Sequence, residues 1–215
     1  MATQKVILAY GDSLTYGHDA DNQQRHAYED RWPTVLEKGL GGAARVIAEG
    51  LGGRTTAFDD WSAAADRNGV TVLPTLLSSH TPLDLVILFL GTNDLKPFIN
   101  GTALGAAFGM RRLIEIVRTH PYAFNAPAPK IIIVSPPQVI ATTHADLGPM
   151  FEGAIAQSQR LAGHYSRAAE ELGTGFFDAA KVATPTPVDG IHLDAANTRA
   201  IGEGLVPLVK ETLGL

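Results

Sequence analysis

Five stretches of the chain, 5–10, 45–48, 83–90, 130–135 and 175–177, are dominated by apolar residues, many of them β-branched. Their apolar positions run on almost without a break instead of alternating. This pattern predicts strands covered on both faces, as in a parallel sheet. Between them the spacing changes to that of amphipathic helices. A helix over 31–40 carries Trp32, Val35, Leu36 and Leu40 on one stripe, with Pro33 in its first turn, where a missing N–H costs nothing. A second over 70–79 places Leu73, Leu76 and Leu77 together, and a third over 103–118 aligns Leu104, Phe108, Leu113, Ile114 and Val117. The same period continues over 147–172 and 195–213.

Strands alternating with helices predict a three-layer α/β/α sandwich, a parallel sheet with right-handed crossovers and helices on both faces. Ligands bind such sheets beyond the carboxyl ends of the strands. The residues just past the first three apolar runs are Asp12-Ser13, Gly50-Leu51-Gly52-Gly53 and Gly91-Thr92-Asn93-Asp94. These are the places to look for chemistry.

Composition narrows the field. The 215 residues, 45% hydrophobic and 18% charged, are enough to fold as one domain over 1–215 with a core of its own. The net charge of −5 and the absence of a basic cluster give nucleic acid nothing to hold. There is no cysteine, so disulfides, thiolate metal sites and cysteine nucleophiles are excluded. No run of 18 apolar residues and no leader-like N-terminal segment occurs, so the reading is a cytoplasmic protein without a membrane partner.

Ser13 follows directly on the first apolar run, where a serine is either a helix cap or a nucleophile. Thr15 stands where the nucleophile elbow of α/β-hydrolases has its second glycine. In Asp189-Gly190-Ile191-His192 a carboxylate three residues ahead of a histidine can accept from the ring Nδ1–H, leaving Nε2 to face a serine. A histidine bonded only within its own loop is the plainer account of that motif. Asn93 could donate its side-chain amide to a developing oxyanion and Gly53 its backbone N–H, or both could serve as turn residues. His18, His26, His80, His120, His144 and His164 show no metal-ligand spacing, so no metal is expected. Trp32 and Trp61 read as core or interface aromatics.

Taken together, Gly11-Asp12-Ser13-Leu14, the turn ending in Gly52-Gly53, Gly91-Thr92-Asn93-Asp94 and Asp189-x-x-His192 resemble, in order, the four sequence blocks of the SGNH hydrolases, or GDSL esterase/lipase family. The resemblance implies a flavodoxin-like fold with a five-stranded parallel sheet. It also implies Ser13 as nucleophile, His192 as general base and then acid, and Asp189 as its orienter. The oxyanion hole would be made by the Ser13 N–H, the Gly53 N–H and the Asn93 side chain. Asp12, Leu14, Thr92 and Ile191 adjoin these positions and are candidates for the substrate pocket; no cofactor is implied.

The stretches 11–17, 49–56, 82–87 and 91–96 are similar to the small bacterial arylesterases and acyltransferases of this family. That similarity implies a homo-oligomer, often an octamer, acting on small short-chain esters with water or an alcohol as acyl acceptor. Two positions depart from it: Tyr16 stands where the acyltransferases usually have tryptophan, and Gly52 where they usually have serine. A carbohydrate O-acetyl esterase using the same site is the alternative. A nucleotide-binding module of flavodoxin type is the non-enzyme alternative, disfavoured because Asp12 would repel a phosphate.

Overall fold

In the computed structural model, which describes residues 4–215, the apolar runs form a single parallel sheet. Its strands are β1 (Lys5–Gly11), β4 (Ala44–Gly50), β5 (Leu85–Phe89), β6 (Lys130–Ser135) and β7 (Gly175–Asp178). Between the first two lies a short antiparallel ribbon of β2 (His18–Asp19) and β3 (Gln24–Arg25). Across the sheet the order is β4-β1-β5-β6-β7. The chain leaves β1 for one edge and returns to its other side, so β1 and β5 flank the switch point of a doubly wound sheet. Ile7 pairs with Val46 on one side and Leu85 on the other.

Successive residues of each strand point to opposite faces, and here both faces are buried. Leu8, Tyr10, Val86, Leu88, Ile131 and Ile133 face a core completed by α3 (Gly69–His80), α4 (Ala103–Thr119) and α6 (Ala154–Leu172). Ile7, Ala9, Leu85, Ile87, Phe89, Ile132 and Val134 face a second core, closed by α2 (Trp32–Gly39) and α7 (Ala195–Leu213). This explains the unbroken apolar runs: no strand face is left for polar residues. Each fully enclosed Leu, Ile or Phe contributes roughly 1.5–3 kcal/mol of transfer free energy. Pro33 sits in the first turn of α2 as expected.

Three expectations are corrected. The periodic stretch 147–172 is not one helix: a single turn, α5 (Leu147–Met150), ends at Phe151, and α6 begins after Gly153. Gly153 has a left-handed backbone (φ 77°), which a helix cannot continue through. On α4 the buried stripe runs through Ala103, Ala106, Met110, Leu113, Ile114 and Val117, whereas Leu104 and Phe108 are 52% and 62% exposed. Apolar character alone could not separate two adjacent stripes on that helix. Of the two readings of Trp61, core and interface, its 91% exposure excludes the core. Among the described residues, no helix is long and apolar enough to cross a membrane.

Trp32 is the largest fully buried side chain, packed at 5.8 Å between ring centres against Phe89, with Nε1 donating to Thr15 Oγ1 at 3.3 Å. Trp32→Ala should therefore lower the unfolding free energy by about 3–5 kcal/mol. Urea denaturation followed by circular dichroism measures it; a loss under about 1 kcal/mol would show that this core refills readily.

Candidate active site

At the carboxyl end of β1 the chain turns through Asp12 into α1 (Ser13–Tyr16). Asp12 caps that turn, its Oδ1 accepting from the Leu14 N–H at 2.9 Å. Ser13 is then the first helical residue, whose N–H has no acceptor within the helix. Far along the chain, the loop before α7 is closed on itself, with Thr186 N–H donating to the His192 carbonyl and Gly190 N–H to the Thr186 carbonyl. Gly190 is left-handed (φ 78°), and a Cβ there would lie 2.4 Å from the Ile140 carbonyl oxygen, so only glycine fits.

This loop aims Asp189 and His192 at Ser13. Asp189 Oδ1 accepts from the N–H groups of Ile191 and His192, both at 2.9 Å, and Oδ2 accepts from His192 Nδ1 at 2.5 Å. His192 Nε2 lies 2.9 Å from Ser13 Oγ. With Nδ1–H committed to a carboxylate, Nε2 is the nitrogen left to accept from the serine hydroxyl. The Asp189 side chain is wholly enclosed. Burial pushes its carboxyl up, but the His192 hydrogen bond, the imidazole's charge and the two backbone N–H groups outweigh burial and hold it down at about 2.

On the other side of Ser13 the second and third loops are tied together through buried polar groups. Asn93 Nδ2 donates to the Arg54 carbonyl at 3.1 Å, which fixes the amide plane and leaves its second hydrogen for the cleft. Arg54 is itself buried; Nη1 donates to the carbonyls of Gly11 at 2.8 Å and of Glu49, and the guanidinium lies 4.3 Å from the Tyr10 ring centre. Asp94 accepts from the Thr56 N–H at 3.0 Å and from the Thr56 hydroxyl. Arg54 and Thr56 lie in the stretch 49–56 that carries the arylesterase similarity, but the sequence reading gave neither a role in the site.

The cleft over Ser13 has a volume of about 230 Å³ and is bordered by Gly53, Asn93, Ile191 and His192. Leu147, Met150 and Phe151 from the broken helix form its apolar wall. Behind that wall a hollow of about 440 Å³ shares Leu147, Phe151 and Ile191 with it. Of the four pocket candidates only Ile191 borders the cleft. Leu14 points into the second core with Trp32, Thr92 is buried beneath the site, and Asp12 is fully enclosed. Burial pushes the Asp12 carboxyl up to about 6 against the Leu14 N–H and the charge of His192. Adjacency along the chain misled here because neighbours in a tight turn face opposite ways.

Two polar residues that the sequence reading gave no role in the site also border the cleft, His18 and Lys96. The His18 ring lies 4.2 Å from that of His192, and burial together with its neighbour lowers its pKa. The nitrogens of His18 and His192 and an Asp189 oxygen lie within 4.8 Å of one another, spacing that could hold a metal ion. Both His192 nitrogens and Asp189 Oδ2 are already engaged in the hydrogen bonds above. Of the two departures from the acyltransferase pattern, Gly52 borders the cleft, with open space where a Cβ would stand. Tyr16 does not border it; its ring lies under the Arg25 guanidinium at 4.0 Å.

A serine, an imidazole and an enclosed carboxylate joined in one line at the switch point of a doubly wound sheet mark the class as a hydrolase. The GDSL-like lipase/acylhydrolase family matches residues 9–200, and the chain belongs to that family. Among solved structures it is similar to a carbohydrate acetylesterase family member from Sinorhizobium meliloti, at 54% identity and a TM-score of 0.97, covering 99% of this chain and 100% of that one. The aryl esterase of M. smegmatis is 41% identical, with a TM-score of 0.92 over 97% of this chain and 100% of that one. A second carbohydrate acetylesterase from Sinorhizobium meliloti is 36% identical, with a TM-score of 0.90 over 97% and 99%. No curated protein matches the chain by sequence. The protein is thus a carboxylic ester hydrolase of the GDSL type.

The Asp189 carboxyl has a pKa of about 2 in the fold, below its ordinary value of 3.8. Its contribution to stability is therefore present above about pH 4 and lost as the pH falls towards 2. Urea unfolding of wild type and Asp189→Asn from pH 5 to 2 should show the wild type's advantage shrinking through that window; a gap constant with pH would contradict it.

Proposed function

We propose that the protein hydrolyses small short-chain esters, acetyl esters above all and aryl acetates among them, through Ser13, His192 and Asp189. The observation that carries this reading is the continuous line from Asp189 Oδ2 to His192 Nδ1 at 2.5 Å and from His192 Nε2 to Ser13 Oγ at 2.9 Å. Ser13 Oγ attacks the ester carbonyl carbon while its proton passes to His192 Nε2. Asp189 stabilises the imidazolium that forms and keeps the ring from turning. Charge builds on the former carbonyl oxygen, which the N–H groups of Ser13 and Gly53 and the free amide hydrogen of Asn93 receive. His192 then hands its proton to the departing alcohol as the C–O bond breaks. In the second half water gives a proton to His192 as its oxygen attacks the acyl carbon; the bond from that carbon to Ser13 Oγ then breaks, His192 returns the proton to Oγ, and the acid leaves.

A small acyl group is favoured by the cleft's volume of about 230 Å³ and by the apolar wall at Leu147 and Phe151. An alcohol could replace water in the second half, since that wall suits an organic acceptor. The sugar O-acetyl reading has its own support: two similar structures are described as carbohydrate acetylesterases. Self-association is the reading for the exposed apolar side chains Phe98, Leu104 and Phe108, whose outward position gives a neighbouring copy something to cover.

Ser13→Ala should reduce p-nitrophenyl acetate hydrolysis by roughly 10³-fold or more, leaving the residue of catalysis that binding and the oxyanion donors supply. An aryl phosphonate should add one mass adduct to wild type, on Ser13, and none to the variant; undiminished turnover by Ser13→Ala would sink the proposal. A panel of p-nitrophenyl esters from acetyl to octanoyl, run beside acetylated xylose and with added alcohols, should show kcat/KM falling beyond about four acyl carbons as the cleft fills. Faster turnover of the octanoyl ester would refute the short-chain assignment, and the sugar and alcohol arms decide leaving group and acceptor.

A further inference from the structure

We infer that Lys96 is a specificity-determining residue that receives a carboxylate carried by the substrate, so that the preferred esters are those bearing an anionic group near the acyl linkage. The inference rests on the serine-esterase reading above and adds the substrate class.

Lys96 follows directly on the single 3₁₀ turn Asn93–Leu95, three residues past the proposed oxyanion donor. It is only 7% exposed, yet it borders the cleft beside Ser13 and Asn93. Nζ lies 5.5 Å from the ring centre of Phe151, itself a cleft residue, and 6.0 Å from that of Phe98. Among the described residues no carboxylate pairs with it: the seven ion pairs join other groups. Asp60, Asp12 and Asp94 act on it from beyond ion-pair distance. Two of these are committed elsewhere, Asp94 to Thr56 and Asp12 to the Leu14 N–H.

An ammonium in this setting has three protons to donate and has lost most of its water. Burial draws it below the ordinary lysine range, the three carboxylates opposing. A neutral hydroxyl could accept one of its protons, but an anionic oxygen also compensates the charge, and such bonds are roughly twice as strong as neutral ones. The two aromatic rings contribute only weak attraction at these distances. A cleft of about 230 Å³ has room for a carboxylate beside a small acyl group and not for a larger polyanion.

The test compares 4-acetoxybenzoate with its neutral counterpart 4-acetoxybenzamide on wild type, Lys96→Met and Lys96→Arg. The readout is the ratio of kcat/KM for the anionic over the neutral ester, so that differences in leaving-group reactivity cancel between variants. The ratio should fall roughly tenfold or more in Lys96→Met and stay within about threefold of wild type in Lys96→Arg. In the wild type, 4-hydroxybenzoate should inhibit neutral-ester turnover more strongly than 4-hydroxybenzamide, with the gap narrowing as salt rises. That inhibition comparison needs no variant to fold. A ratio unchanged in a folded Lys96→Met, equal losses on both esters, or equal inhibition by the two phenols would each overturn the proposal. If both esters were hydrolysed undiminished by Ser13→Ala, the serine reading would fail instead, and the two failures are distinguishable.

Discussion

Three of the four loops that meet at Ser13 are tied together through one buried arginine, by its guanidinium and its own carbonyl. Arg54 reaches from the glycine turn after β4 to the carbonyl of Gly11 just ahead of the serine, and to the carbonyl of Glu49 at the end of its own strand. Its own carbonyl accepts from Asn93. A buried cation with no carboxylate in contact is costly unless dipoles replace its water. Here the carbonyls at two strand ends and the face of Tyr10 do so. These carbonyls are available because the sheet is parallel and its strands end together on one side. The sheet's direction, the arginine's burial and the aim of the Asn93 amide therefore depend on one another, and loosening any one would disturb the others.

The three buried carboxylates near Ser13 show how placement sets charge. Asp189 meets two backbone N–H groups and an imidazole, and is held down at about 2. Asp12, with one backbone donor on Oδ1 and nothing on Oδ2, is pushed up by burial to about 6. Asp94 is pushed up to about 6 as well, despite Thr56. Of the three, the carboxylate beside His192 thus keeps its charge to the lowest pH, which suits the orienting role proposed for it.

The sheet was legible because every strand is covered on both faces and so reads as an apolar run. The four loops were legible because a doubly wound sheet delivers its chemistry just after those runs. What stayed hidden depended on contacts between distant segments. Leu14 and Thr92 are chain neighbours of Ser13 and Asn93 but turn into the protein, while His18 and Lys96 border the cleft without any spacing in the sequence that assigns them to it. The break between α5 and α6 falls at Gly153, a residue that a helical period passes over. On α4 the apolar residues Leu104 and Phe108 formed a second stripe that is left largely exposed, and composition cannot say which stripe faces inward.

That helix break also separates two kinds of constraint. Ser13, Asn93, Asp189 and His192 stand on strand ends and closed loops that are locked into the cores of both faces. The wall of Leu147, Met150 and Phe151 stands on a lone turn between Asp146 and Gly153, outside the sheet and facing the larger hollow beyond. Sequence change in those few residues can reshape what the cleft admits without touching the groups that would cut the ester. A family built on this frame can therefore diversify its substrates while its reaction stays the same.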